Sequence, residues 1–339
     1  MNRAKLKVIE QPYREMQDYL ATAHIGRQAD GGVAALYDRI VAEGDGRIKP
    51  VPVPWHFTNQ SLGYGLTPGQ VTIVAGSAGV AKSYLLLNIL RHAGEKGFHW
   101  RLLPLEDDAG RWIQRMLAVH LASWAMVAQP ENDREETRRQ VADRKLAALE
   151  ENKLLVAQWY ENIFENPRLP VDDGSGMLVT RDVHYRDVLT FLEGVADACD
   201  LVGLDCLSQI SFSEDGRDYI GQSEFMRGVV GIAASTGAHI VLVGHNGKGG
   251  VNRDPLDGIQ GSALFNRLAH NVMVLTRNDP PVESEVLSRI NPMVEHKLTL
   301  SVLKSRGGMS GDKIAMDLHE YGPQFVEHGK IKAKVKGRK

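Results

Sequence analysis

The chain has 339 residues, with 40 Lys and Arg against 42 Asp and Glu, and is 43% hydrophobic and 24% charged, a globular composition able to bury one large core or two ordinary domains. A net charge of -2 excludes a whole-molecule attraction to nucleic acid, so any such binding must come from local patches. The opening MNRAKLKVIEQPYREM has no apolar core segment and no long apolar window occurs elsewhere, so neither secretion nor membrane spanning is expected, and a cytoplasmic location is.

Residues 1–45 predict a helical arm, because IEQPYREMQDYLATAHI and GGVAALYDRIVAEG repeat apolar residues three and four apart. GDGRIKPVPVPW follows as an extended linker, since each residue before a proline is turned away from helix. From Thr67 onward strand-like and helical runs alternate: QVTIVAG, SYLLLNILRHAGEKG, WRLLPLE and RWIQRMLAVHLASWAMV, then LVGLD, GQSEFMRGVVGIAASTG and HIVLVGH. That alternation predicts an α/β fold, a doubly wound and mostly parallel sheet. Between the two blocks, the charged run over 129–150 reads as a solvated helix and VDDGSG as a hairpin. The expected divisions are arm and linker over 1–48, the α/β domain over 49–328 and a basic tail over 329–339. Cys199 and Cys206 are too few for a disulfide framework and lack metal-ligand spacing or nearby histidines, so they read as reduced core residues.

Within the first strand-to-helix turn, GSAGVAKS (76–83) nearly matches the phosphate-loop pattern G-x-x-x-x-G-K-[ST]. Such a loop works because backbone N–H groups freed by small residues converge on phosphates while a helix N-terminus adds partial positive charge. The following Lys neutralises phosphate charge and the Ser hydroxyl ligates Mg²⁺. Gly76, Ser77, Ala78, Gly79, Val80, Ala81, Lys82, Ser83 and Tyr84 are the candidate nucleotide-binding stretch, with ATP and Mg²⁺ as the expected cofactors. Ala81 replaces the second glycine, and if that position requires a left-handed backbone it costs on the order of 1 kcal/mol.

Hydrolysis requires a water-positioning group, and Glu106 in LLPLEDD stands just past the next predicted strand, where α/β sheets place functional groups. Asp205 closes the apolar strand LVGLD and is the second candidate Mg²⁺ ligand beside Ser83. HIVLVGHNGKGG brings His245 and Asn246 to the end of a third strand, suited to sensing a terminal phosphate. Each residue alone has a plain structural explanation, as a strand-end carboxylate, a turn cap or a packed histidine. Their joint position at the carboxyl ends of consecutive strands is what selects the chemistry.

The order of GLTPGQVTIVAGSAGVAKS, LPLEDDAGRWIQRMLAVHLA, LVGLDCLSQI, HIVLVGHNGKGG and LKSRGG resembles the RecA-like motor of the DnaB-type replicative helicases (superfamily 4), including the RepA-like plasmid and phage helicases. The resemblance spans roughly residues 50–328. It implies a homo-oligomeric ring, usually a hexamer, with ATP between protomers and hydrolysis driving translocation on single-stranded DNA. Other replication proteins are implied as partners, in a bacterial cell or a phage-infected host. By the resemblance Glu106 is the catalytic glutamate, Asp205 the metal-assisting aspartate and His245 the phosphate sensor, while Lys304 and Arg306 in LSVLKSRGGMSG are cations reaching a neighbour's phosphate. Two departures stand out: Ala81, and only about 45 residues where bacterial DnaB carries a long N-terminal domain.

DNA contacts are expected from FSEDGRDYIGQ, with Arg217, and from NGKGGVNRDPLDG, with Lys248 and Arg253, since Gly-rich loops with few cations suit backbone contact without sequence reading. The tail HGKIKAKVKGRK, with six Lys or Arg in its last ten residues, is either a nonspecific nucleic-acid contact or a solvated terminus. Two alternatives stand beside this reading: a filament-forming recombination ATPase that shares the core, and, from a different class, a nucleotide-binding loader or scaffold with weak hydrolysis.

Overall fold

Val71–Gly76 (β1) buries all six of its residues, the pattern of a central parallel strand covered on both faces. A computed structural model describes residues 36–38, 40–46, 48–129, 135–167, 171–172, 178–179, 183–213, 218–245, 263–287 and 292–332. The chain divides into two compact units, Met1–Pro50 and Val51–Lys339. In the first, residues 36–38 and 40–44 are helical, while the expected helix IEQPYREMQDYLATAHI lies outside the described residues.

The second unit opens with α1 (His56–Ser61), preceded by the end of the expected linker, where Val51, Val53 and Trp55 are buried. After β1 come α2 (Lys82–Glu95), β2 (Trp100–Pro104), α3 (Ala109–His120), α4 (Glu135–Glu151) and α5 (Lys153–Asn162). A short antiparallel pair, β3 (Val171–Asp172) with β4 (Leu178–Val179), forms the hairpin expected around VDDGSG. Next are β5 (Val183–His184), α6 (Tyr185–Val195), β6 (Leu201–Asp205), β7 (Ile210–Ser211), α7 (Asp218–Thr236) and β8 (His239–His245). The chain closes with α8 (Ala263–Leu268), β9 (Asn271–Leu287), β10 (Met293–Ser305), β11 (Asp312–Leu318) and β12 (Phe325–Ile331).

The eight-stranded sheet runs β10-β11-β12-β9-β1-β8-β6-β2. The pairs from β9 through β1, β8 and β6 to β2 are all parallel, and the other strands add antiparallel. One core packs Leu85–Leu87, Ile89 and Leu90 of α2, Trp112 and Met116 of α3 and Trp159 of α5 on one face. The other packs Val188 and Leu192 of α6, Phe225, Met226 and Val229 of α7 and Phe265 of α8 on the opposite face. Helices on both faces are the doubly wound arrangement expected, whereas the antiparallel extension built by β10–β12 was not anticipated. Its signal was period-two burial at Leu298, Leu300 and Val302 in β10. The strand β12 runs to Ile331, so residues 329–331, assigned to the tail, belong to the sheet.

Asn88, buried within α2, joins the two parts of this sheet system. Its Nδ2 donates to Tyr84 O at 2.7 Å and Pro323 O at 2.9 Å, and its Oδ1 accepts from Phe325 N at 3.4 Å. Substituting Asn88→Ala leaves a buried carbonyl and a buried N–H without that partner, and unfolding stability should drop by about 1–3 kcal/mol. The check is the urea midpoint of Asn88→Ala against the unaltered chain, which should fall.

Candidate functional site

The loop between β1 and α2 is shaped by two local demands. At Gly76 a Cβ would meet Leu275 O at 2.5 Å and Val80 Cγ1 at 2.9 Å, so close strand packing requires glycine there. Gly79 and Ala81 both have left-handed backbones, with φ 70° and φ 75°. The conditional cost of Ala81 is therefore real, of order 1 kcal/mol, and is held in place by the helix that starts at the next residue. Ser77, Ala78 and Gly79 are exposed while Val80 is buried and anchors the turn.

Lys82, the first residue of α2, is itself buried. Its Nζ donates to Ser77 O at 2.8 Å and lies 3.2 Å from His245 Nδ1. Burial lowers its pKa, against the opposing pull of Asp205, Cys206 and Glu106. Register explains the encounter: β1 and β8 end level at Gly76 and His245, β2 and β6 end level at Pro104 and Asp205, and Asp205 pairs with Val243, so all four strands finish within two residues of one edge.

Asp205 is fully buried and accepts a hydrogen bond from the Ser83 side chain. Burial drives its pKa up to about 6, only partly countered by Ser83, and its Oδ2 has no hydrogen-bond partner among the described residues. A buried carboxylate oxygen left open beside a serine hydroxyl is a donor set suited to a hard cation such as Mg²⁺.

Glu106 stands two residues past β2. Its Oε1 accepts from Cys206 Sγ at 2.9 Å and lies 3.6 Å from His245 Nε2. Burial pushes the carboxyl up, but hydrogen bonds from Cys206, His245 and Gln209 outweigh that and hold it below the ordinary glutamate range. Its anion is thereby favoured. Cys206 is buried and its thiol is pushed up to about 12, first by burial and then by the Glu106 hydrogen bond, so it serves as a donor. The reading of Cys206 as a reduced core residue holds, with one correction: β8 brings His245 to it from 39 positions away, which spacing alone concealed.

Of the remaining sequence candidates, Tyr84 turns its ring edge-on to Trp124, with centroids 5.7 Å apart. Lys304 faces Val272 in the β9 register, whereas Leu275 faces Gly76, so Lys304 lies three residues, about 10 Å, back from the loop toward the amino edge of the sheet. There its Nζ donates to the carbonyls of Asn266, Arg267 and Ala269 at 2.9, 2.9 and 2.6 Å, capping the end of α8. Arg306 is exposed beyond the same edge. Neither cation meets the phosphate loop of its own chain. Arg217, Asn246, Lys248 and Arg253 lie outside the described residues. Sequence reasoning missed Gln209, Cys206 as a partner of Glu106, and Arg277, whose Nη2 donates to Gly79 O at 3.2 Å from β9. No local motif marks Arg277, because the sheet alone brings it to the loop.

The AAA domain family matches residues 58–251. No curated protein matches the chain in sequence. Among solved structures, one of an ATPase domain superposes with a TM-score of 0.63 at 15% identity, over 88% of this chain and 97% of that one. A DnaB-like replicative helicase, described together with its interactions with primase, gives 0.61 at 14% identity over 96% and 76%. A KaiC-like protein of the hyperthermophilic archaeon Pyrococcus horikoshii OT3 gives 0.51 at 14% over 83% and 99%. At these identities the likeness is one of fold, and the fold is the RecA-like one expected.

The raised pKa of Asp205 fixes a stability trend. A folded-state value near 6 above an unfolded value of 3.8 means this group's contribution is fully present below pH 3.8 and is lost as pH rises through 6. A shift of about 2 units corresponds to roughly 3 kcal/mol. Asp205→Asn, which keeps an acceptor for Ser83, should be more stable than the unaltered chain by about 1–3 kcal/mol at pH 8 and no more stable near pH 4. Denaturant unfolding at the two pH values measures the difference.

Proposed function

The chain belongs to the AAA domain family, and we propose that it is an ATP-hydrolysing, ring-forming motor that translocates on single-stranded DNA and unwinds duplex, a replicative helicase. One observation carries the reading: Lys82, His245 and Glu106 form a continuous contact chain at the strand ends, directly beside Ser83 and Asp205.

Each side chain has a task that follows from its surroundings. The loop amides of Ser77–Ala81 and the Lys82 amine bind the phosphates, Lys82 exchanging Ser77 O and His245 Nδ1 for phosphate oxygens. Ser83 and Asp205 would hold Mg²⁺, which when bound neutralises charge on the phosphate oxygens. Glu106, favoured as the anion, orients the attacking water and accepts its proton. Cys206 and Gln209 fix the direction of that carboxylate by hydrogen bonding. His245 touches both Lys82 and Glu106, so a Lys82 drawn toward phosphate is felt at the water-activating group.

Because Lys304 and Arg306 stand at the amino edge, about 10 Å or more behind their own loop, any phosphate they reach belongs to another protomer, which favours a closed homo-oligomer, read here as a hexamer. Arg306 is the exposed member of the pair and the stronger candidate for that contact. The segments carrying Arg217, Lys248 and Arg253 follow β7 and β8 and are assigned to the DNA strand.

Glu106→Gln and Arg306→Ala should each lower kcat for ATP at least about a hundredfold while nucleotide binding persists. ATP turnover with and without single-stranded DNA, together with strand displacement on a forked duplex, tests the whole reading. ATPase and DNA binding without displacement would leave a recombination-type ATPase instead, and absence of turnover in the unaltered chain would leave a loader. Ala81→Gly removes a strain of order 1 kcal/mol that is common to ground and transition states, so kcat should stay within about threefold. A tenfold rise would mean that the left-handed alanine limits turnover.

A further inference from the structure

We propose that Glu106, Cys206 and His245 form a binding site for a zinc-class divalent cation, separate in chemistry from the Mg²⁺ ligands, and that its occupancy stops hydrolysis. Three donor atoms of three kinds come from the ends of three adjacent strands, β2, β6 and β8, and all lie within 4.8 Å of one another. Sγ is 2.9 Å and Nε2 3.6 Å from Oε1. Ligands placed tetrahedrally at zinc distances stand about 3.4 Å apart, so only small side-chain shifts admit the ion.

Ligand type separates the two metal sites. Ser83 and Asp205 offer oxygens alone, which suit Mg²⁺, whereas a thiolate with an imidazole selects zinc or its soft neighbours. Three protein ligands leave the fourth position to water. Side-chain exposures of 27% for His245 and 35% for Glu106 give the ion a way in, while buried Cys206 supplies the inner wall. The strand ends are fixed by sheet register, so the donors are held near one another before the ion arrives.

Binding rearranges two protons. The ion displaces the Cys206 thiol proton to solvent. At His245, a Lys82 amine donating to Nδ1 leaves the ring proton on Nε2, and metal at Nε2 moves that proton to Nδ1. The Lys82 contact with Nδ1 then breaks, and the Glu106 carboxylate becomes a ligand with no free oxygen directed at water. Nucleotide still binds through the loop, Ser83 and Asp205, but is not hydrolysed. This last step rests on the role proposed for Glu106, whereas the metal site itself does not.

Co²⁺ is the probe, added to the full chain, because a thiolate ligand gives an intense near-ultraviolet charge-transfer band. One Co²⁺ per chain should produce the band and Zn²⁺ should remove it. The band should survive Cys199→Ser, the other cysteine, and vanish in Cys206→Ser. His245→Ala, checked for folding by circular dichroism, should weaken Co²⁺ at least about tenfold. No band, or a band that follows Cys199, overturns the site. ATP turnover in Mg²⁺ should fall with added Zn²⁺ and return with chelator, while binding of a non-hydrolysable ATP analogue is unchanged. Turnover indifferent to a bound ion overturns the regulation. If metal binds but the zinc-free chain hydrolyses nothing, the motor reading fails and the metal site stands.

Discussion

Strand register is the constraint on which the rest of this protein depends. Four neighbouring parallel strands end within two residues of one another along the same edge, so groups separated by as many as 163 residues become neighbours without any of them being placed by a loop alone. Slipping one strand by a single residue would reverse its two faces and carry His245 or Asp205 away from Lys82. The buried apolar faces of those strands therefore act on the chemistry indirectly, by making such a slip prohibitively costly. This is why the helices packed on both sides matter to a site formed largely at strand ends.

The electrostatics at the edge follow from burial more than from net charge. Desolvation acts on Lys82, Glu106, Cys206 and Asp205 alike, and each ends differently because each has different compensation. Glu106 has three donors and stays anionic, whereas Asp205 has Ser83 and an unpartnered oxygen, and its proton is held more tightly. Two carboxylates at one edge of the sheet are thus held with opposite shifts, Glu106 below its ordinary range and Asp205 above it.

Much of this was legible in the sequence because it is encoded locally. The alternation of apolar runs marked the doubly wound core, and GSAGVAKS marked the turn whose left-handed Ala81 the backbone bears out. Glu106, Asp205 and His245 could be named because a strand end is a local event. What stayed hidden was non-local. Arg277 lies in the middle of a long strand and reaches Gly79 only through sheet order, and Lys304 is occupied by the carbonyls of a helix about 35 residues earlier. Cys206 was read by its chemistry as a core residue and met its histidine only once β8 lay beside β6. The antiparallel extension was missed for another reason: β9 is half buried and half exposed along its length, so no single period describes it.

Ala81 has one more consequence, and it concerns observation. Glycine at that place would leave position 81 with no side-chain carbon, and Ala78 with the one alanine methyl of the loop. Alanine puts a single methyl group on the residue whose carbonyl accepts the first hydrogen bond of α2, from Leu85 N at 3.0 Å. Methyl signals remain sharp in large assemblies, so isotopic labelling of alanine methyls gives this loop a native magnetic-resonance reporter. The residue that departs from the usual pattern thus gives the loop a second alanine methyl beside that of Ala78, at the point where the loop turns into α2.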